Sequence, residues 1–185
     1  MQQQHYPQSS YNNVNNTNNT RVKKIYMSEN NINENSVLFS ESVKNKIMQD
    51  SLFTRIIYSN ELFSTNAILY SFDLIITNAS HFYNKYLYRF NPFQNSLSKI
   101  KKIEKNILSS YAQLMKTTPP RQKHPQYKLQ EVFDSGCLKT FISNNNTNES
   151  DLFHPLHKKV RFCLKMLGVW ESNTEYGIIY KLSPH

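Results

Sequence analysis

The sequence predicts a mostly α-helical fold behind a disordered N-terminal tail, and three observations carry that prediction. The chain has 185 residues, room for one ordinary domain and a tail. Residues 1–35 are dominated by Asn and Gln and hold few large aliphatics, so they bury too little apolar area to offset the entropy of ordering them. From Ser36 onward, apolar residues recur at spacings of three and four, the period of a helix face.

A first helix is predicted after Ser40-Glu41, running to about Tyr58. Val43, Ile47, Phe53 and Ile57 form its stripe, with Met48 and Ile56 beside it. A second begins after Ser64-Thr65 and carries Ile68, Leu69, Phe72, Ile75, Phe82 and Tyr86. The β-branched run Leu74-Ile75-Ile76-Thr77 leaves a strand as the alternative there, and Asn91-Pro92 ends the segment. The third helix has the clearest pattern. Leu97, Ile100, Ile103, Ile107, Tyr111 and Leu114 share one stripe, Leu108 and Met115 widen it, and Thr117-Thr118-Pro119-Pro120 stops it. Residues 36–130 are therefore expected to form a helical domain with a basic third helix.

Residues 131–185 are expected to form a small C-terminal unit. Glu131 to Ile142 suits a short helix or a strand pair, closed by an Asn144–Asn146 loop. Val160, Cys163, Leu164 and Leu167 give a helical apolar face that stops at Gly168. Val169-Trp170 and Tyr176 to Tyr180 suit a short hairpin around the polar turn Glu171–Glu175.

Composition excludes several classes. Three glycines cannot furnish a P-loop or a Rossmann turn. No run of about 18 apolar residues suits a membrane span, and MQQQHYPQSS lacks the apolar core of a secretory signal. No G-x-S-x-G occurs and no carboxylates pair for acid–base work, so no enzyme is expected. Two cysteines are too few for a disulfide scaffold. Cys137, His154, His157 and Cys163 are spaced C-x16-H-x2-H-x5-C, which matches no common zinc pattern. Neither a metal nor a cofactor is expected.

Charge is the informative feature. Lys and Arg total 22 against 13 Asp and Glu, a formal charge of +9. Residues 99–128 hold Lys99, Lys101, Lys102, Lys105, Lys116, Arg121, Lys123 and Lys128 against Glu104 alone. A cationic face of this density attracts a polyanion and gains from counterion release. A second cluster is Lys158, Lys159, Arg161 and Lys165. Phe82, Tyr83, Tyr86, Tyr88, Phe90 and Phe93 crowd the stretch before the basic helix, where they suit either base stacking or a core.

Asn66-Ala67-Ile68-Leu69-Tyr70 resembles the opening of the first helix in fungal HMG boxes. Ser98-Lys99-Ile100 resembles the start of their second helix, and His124-Pro125-Gln126-Tyr127-Lys128 is similar to the closing segment of the box. The Asn/Gln-rich tail and small size are similar to mating-type regulators of that family. The resemblance implies an L-shaped three-helix domain that enters the minor groove and bends DNA. Asn66 and Tyr70 would then approach bases, and Ser98 and Lys99 the backbone.

The expected function is a DNA-binding transcription regulator in the nucleus, with DNA and another regulator as partners and no membrane. The alternative is a helical interaction or assembly subunit whose Leu97–Met115 stripe packs on a partner. Burial of that stripe within the chain leaves the basic face for nucleic acid, whereas exposure predicts a partner helix.

Overall fold

The computed structural model describes residues 32–115, 123–141 and 158–184. After a 3-10 turn at Glu34–Ser36 come β1 (Val37–Lys44), β2 (Leu52–Ser59), β3 (Ser64–Thr65), β4 (Ile68–Phe82) and β5 (Lys85–Phe90). Next are α1 (Asn95–Met115), β6 (His124–Gln126), α2 (Lys128–Asp134), β7 (Cys137–Phe141), β8 (Lys158–Glu171) and β9 (Glu175–Pro184). All nine strands belong to one sheet. The mostly α expectation is therefore overturned.

β8 is the spine. Along one edge it pairs antiparallel with β4, from Ile68↔Met166 to Ile76↔Lys158, and then with β2, from Leu52↔Glu171 to Arg55↔Gly168. Along the other edge it pairs with β9. β5 extends the sheet from the second half of β4, β7 extends it from β5, and β1 extends it from β2. β6 runs parallel to Glu175–Gly177 of β9.

Period-two burial explains the strands. β4 buries Ile68, Tyr70, Phe72, Leu74 and Ile76, and β8 buries Phe162, Leu164 and Met166 beside them. Tyr86, Tyr88 and Phe90 of β5 join the same face. α1 covers it with Leu97, Ile100, Ile103, Ile107, Leu108 and Tyr111, and α2 adds Leu129 and Phe133. Phe133 meets both Phe72 and Phe90 edge-on. Each large apolar side chain so buried contributes roughly 1.5–3 kcal/mol of transfer free energy.

The helices expected over 40–58 and 66–86 are β1–β2 and β4–β5. Val43 and Ile47, assigned there to a core stripe, are 57% and 92% exposed. The true pattern is Thr54, Ile56 and Tyr58 inward, with Phe53, Arg55 and Ile57 on the other side. Outward positions of β4 also hold apolar residues, Leu69 and Ile75. They fill the gaps of an alternating pattern, and a strand then mimics helical spacing. The helix expected around Val160–Leu167 is part of β8, with Arg161 and Lys165 outward. The turn expected at Glu171–Glu175 is present, but its arms are the full lengths of β8 and β9.

No break appears at residue 130. β7, β8 and β9 are hydrogen-bonded into the same sheet as β2, β4 and β5. Order also begins inside the expected tail, because Ile32 packs on the core and the Asn33 N–H donates to the Tyr58 hydroxyl at 3.2 Å. Residues 1–31, the Thr117–Pro120 stop and the Asn144–Asn146 loop lie outside the described residues.

The segments that resemble an HMG box do not form one. Asn66 precedes β4 and Tyr70 is inside it, Ser98 and Lys99 are in α1, and His124-Pro125-Gln126 is β6. Among the described residues no helix is long and apolar enough to cross a membrane.

Two local devices set the sheet's shape. β8 is bulged between Met166 and Gly168, and a Cβ at Gly168 would collide with the Phe53 ring and the Thr54 carbonyl, so only glycine fits. Below β5, the free edge of β4 is closed by Gln94. Its Oε1 accepts from the Ile75 N–H at 2.8 Å and its Nε2 donates to the Ile75 carbonyl at 3.0 Å.

Candidate functional site

The residues singled out in the sequence scatter in the fold. Tyr70 is fully buried, stacked on Phe72, and cannot reach a base. Asn66 is exposed in the bend between β3 and β4. Ser98 is exposed in the first turn of α1, its hydroxyl donating to the Asn95 carbonyl. Lys99, Lys102 and Lys105 are exposed on α1, as expected from the opposite stripe. Three further cations of that stretch form ion pairs. Lys101 pairs with Asp134, Lys123 with Glu171, and Lys128 with Glu131. Lys116 and Arg121 lie outside the described residues, as do His154 and His157. Cys137 and Cys163 are not joined in a disulfide, and no cluster of metal-ligating side chains occurs among the described residues.

Lys123 ends a polar chain that passes through the buried Thr54, Tyr111 and Glu171. The Ser42 and Thr54 hydroxyls lie 2.6 Å apart, Thr54 is 3.0 Å from the Tyr111 hydroxyl, and Tyr111 donates to Glu171 at 2.6 Å. Burial, reinforced by the bond to the Glu171 carboxylate, pushes the Tyr111 phenol up to about 12. A neutral phenol between a threonine and a carboxylate is a structural strut, tying β1, β2, α1 and β8 together.

The outward face of the sheet joins the second basic cluster of the sequence to cations that the sequence reading left out. On β8, Lys159, Arg161 and Lys165 alternate with the inward Val160, Phe162, Leu164 and Met166. Register carries the pattern to the neighbours, adding Arg55 opposite Gly168, Lys181 opposite Lys165, and Lys139 opposite Leu87. Lys85 and Arg89 alternate with Tyr86 and Tyr88 on β5. All eight cations are exposed. On β4 that face carries Asp73, which accepts from Arg161 and Lys159 at 3.0 Å each. Arg161 beside it holds the Asp73 carboxyl below the usual range. No other acid occupies an outward position of β2, β4, β5, β7, β8 or of β9 beyond Gly177. Phe53 and Trp170 are cross-strand partners on this face. Arg55 sits 5.8 Å above the Phe53 ring, and Lys85 sits 4.9 Å above that of Phe141. The alternation of basic with apolar residues from Lys159 to Met166 was the available signal.

A groove of about 1080 Å³ lies between β7 with the end of α2 on one side and β8–β9 on the other. Lys139, Lys165 and Lys181 line it together with Leu69 and Phe141 of the same face, and Leu138 and Leu182 border it from the core side. Both thiols line it, and among the described residues no acid does. Lys165 and Lys181 face each other directly across an antiparallel pair, an arrangement of like charges that destabilises a sheet. Neither has an ion-pair partner among the described residues. Among the described residues, β7 is paired only through β5, and β9 beyond Gly177 only through β8.

No family model, curated protein or solved structure matches the chain. Function is therefore read from the chemistry of this face.

Proposed function

We propose that the chain binds nucleic acid through the outward face of its sheet. One observation carries the reading: among the described residues, eight exposed cations share the outward positions of β2, β4, β5, β7, β8 and β9 beyond Gly177 with one acid, Asp73. A surface made only for solubility mixes its signs, whereas a one-signed face of this extent neutralises phosphates and releases their counterions. The aromatic residues Phe53, Trp170 and Phe141 beside the cations add stacking surfaces. The Leu97–Met115 stripe is covered by the chain's own sheet from Leu97 to Tyr111, so the alternative of a partner helix on that stripe loses its surface. A DNA-binding regulator in the nucleus, the role expected from the sequence, would act through this face and not through Asn66 and Tyr70.

The test is fluorescence anisotropy with single-stranded DNA, duplex DNA and RNA across about 50–200 mM salt. Replacing Lys85, Arg89 and Lys159 together with Gln should weaken binding. The slope of log affinity against log salt should fall by up to roughly 0.7–0.9 per lost phosphate contact. Lys46→Gln, on the loop between β1 and β2, should change neither. The proposal fails if the purified chain shows no salt-dependent binding to any of the three.

A further inference from the structure

We propose that the groove between β7 and β9 holds a single strand of nucleic acid. Its phosphates lie against Lys139, Lys165 and Lys181, and its unpaired bases on the apolar floor of Leu69 and Phe141. This rests on the nucleic-acid reading above and gives it a strand class and a seat.

Three features point the same way. First, Lys165 and Lys181 repel across adjacent strands, and no acid among the described residues lines the groove to relieve them. An anion between their ammonium groups turns that repulsion into attraction. Lysine suits a phosphate here because it is a compact point charge. Second, the floor between the lysines is aliphatic and aromatic. A duplex keeps its base faces stacked inside and offers a protein phosphates and base edges. Only an unpaired strand presents base faces to such a floor. Third, the cations continue beyond the groove to Lys159 and Arg161 on β8 and to Arg89 on β5. The groove itself is already at the upper end of the roughly 300–1,000 Å³ that drug-sized ligands occupy. A free nucleotide or a short acidic peptide would leave the outlying cations unused, and a polymer of phosphates would reach them.

The chain carries its own reporter. Its only two cysteines, Cys137 and Cys163, both line the groove. Cys137 is half-buried, and Cys163 is more deeply set. The experiment follows N-ethylmaleimide modification of each thiol in the full-length protein by mass spectrometry. The probes are oligothymidine of about 16 nucleotides, a blunt duplex of equal length and polyglutamate. Binding of each is measured in parallel by anisotropy.

The proposal expects oligothymidine to slow Cys137 modification several-fold, with the duplex having little effect. It expects Lys165→Gln together with Lys181→Gln to abolish that protection while the melting temperature stays at or slightly above that of wild type. Oligothymidine that binds without protecting Cys137 overturns the groove assignment and leaves the nucleic-acid reading standing. Equal protection by the duplex overturns the strand class. Protection by polyglutamate alone overturns the proposal in favour of an acidic protein segment. Failure of every nucleic acid to bind overturns both readings together.

Discussion

Replacing Glu104 with Ala probes how the second helix is held. Glu104 is fully buried on α1. Its Oε1 accepts from the Leu129 N–H at 2.9 Å and its Oε2 from the Gln130 N–H at 2.8 Å. Those donors sit in the first turn of α2, where a helix has no internal acceptors to offer. Tyr127 at the N-cap supplies no side-chain bond. Glu104 does the capping from another element, and Glu104→Ala strands both donors. Each orphaned N–H costs roughly 1–3 kcal/mol, and relief from burying a carboxylate offsets part of this, for a net loss of about 2–4 kcal/mol. With a urea slope of roughly 1–3 kcal/mol/M the midpoint should fall by about 1–2 M. The pH dependence has a definite sign. Burial raises the Glu104 carboxyl above its ordinary 4.5, outweighing the two N–H bonds. The folded chain then holds this proton more tightly than the unfolded chain. Stability owed to Glu104 is full below about 4.5 and declines as pH rises through the raised value. The gap between wild type and Glu104→Ala should therefore be widest at acid pH and narrow toward neutrality. An unchanged midpoint would refute the capping role. A gap that widens with pH would show that the hydrogen bonds win over burial.

Three further outcomes follow from the same geometry. Tyr111→Phe removes the hydroxyl that donates to Glu171 and should lower stability by roughly 1.5–3 kcal/mol. A double-mutant cycle with Glu171→Gln should give a coupling of at least about 0.5 kcal/mol, and strict additivity would contradict the network. Leu164→Ala should cost roughly 2–5 kcal/mol, because Leu164 is fully buried. Leu167→Ala, at the half-buried bulge, should cost less than half of that by the same denaturation curve. Lys181→Glu places opposite charges across the β8–β9 pair and should raise stability by roughly 0.2–1 kcal/mol while weakening oligonucleotide binding. A variant that binds as tightly as wild type would remove Lys181 from the interface.

Helix α1 was legible because its stripe is interrupted on every other side by Lys, Ser and Asn, so only one period fits Leu97 to Leu114. The strands were not, for a specific reason. β4 and β2 place apolar residues on both faces, as with Leu69 and Ile75 against Ile68, Leu74 and Ile76. A near-continuous apolar run carries no distinct period, and spacing alone then favours whichever template is tried first. The arbitrating signal was chemical: β-branched and aromatic side chains fill Leu52–Tyr58, Ile68–Ile76 and Tyr86–Phe90, and these pack best on a pleated surface. For the site, the cationic character was legible and its location was not. The outward face draws its charges from β2, β5, β7, β8 and β9, segments that a linear count of charge treats as unrelated.

Where the acids go decides which surface stays positive. The stretch from Lys99 to Lys128 is the densest run of cations in the sequence, yet the fold neutralises much of it. Asp134, Glu171 and Glu131 take Lys101, Lys123 and Lys128. Glu104, the only acid within that stretch, is turned inward to hold α2. The acids that balance this region therefore come from α2 and β8, and none of them is left for the sheet's outer face. There Asp73 bridges Lys159 and Arg161, while Lys165 and Lys181 are set opposite each other with no carboxylate among the described residues lining the groove beside them. A sheet evolving for stability alone would place one acid in that pair, since a single substitution suffices and the gain is immediate. A local rule broken without a structural return marks a position held by function. The broken rule coincides here with the rim of the apolar-floored groove described above, which is why the proposed interface lies on β7, β8 and β9 and not on the lysines of α1.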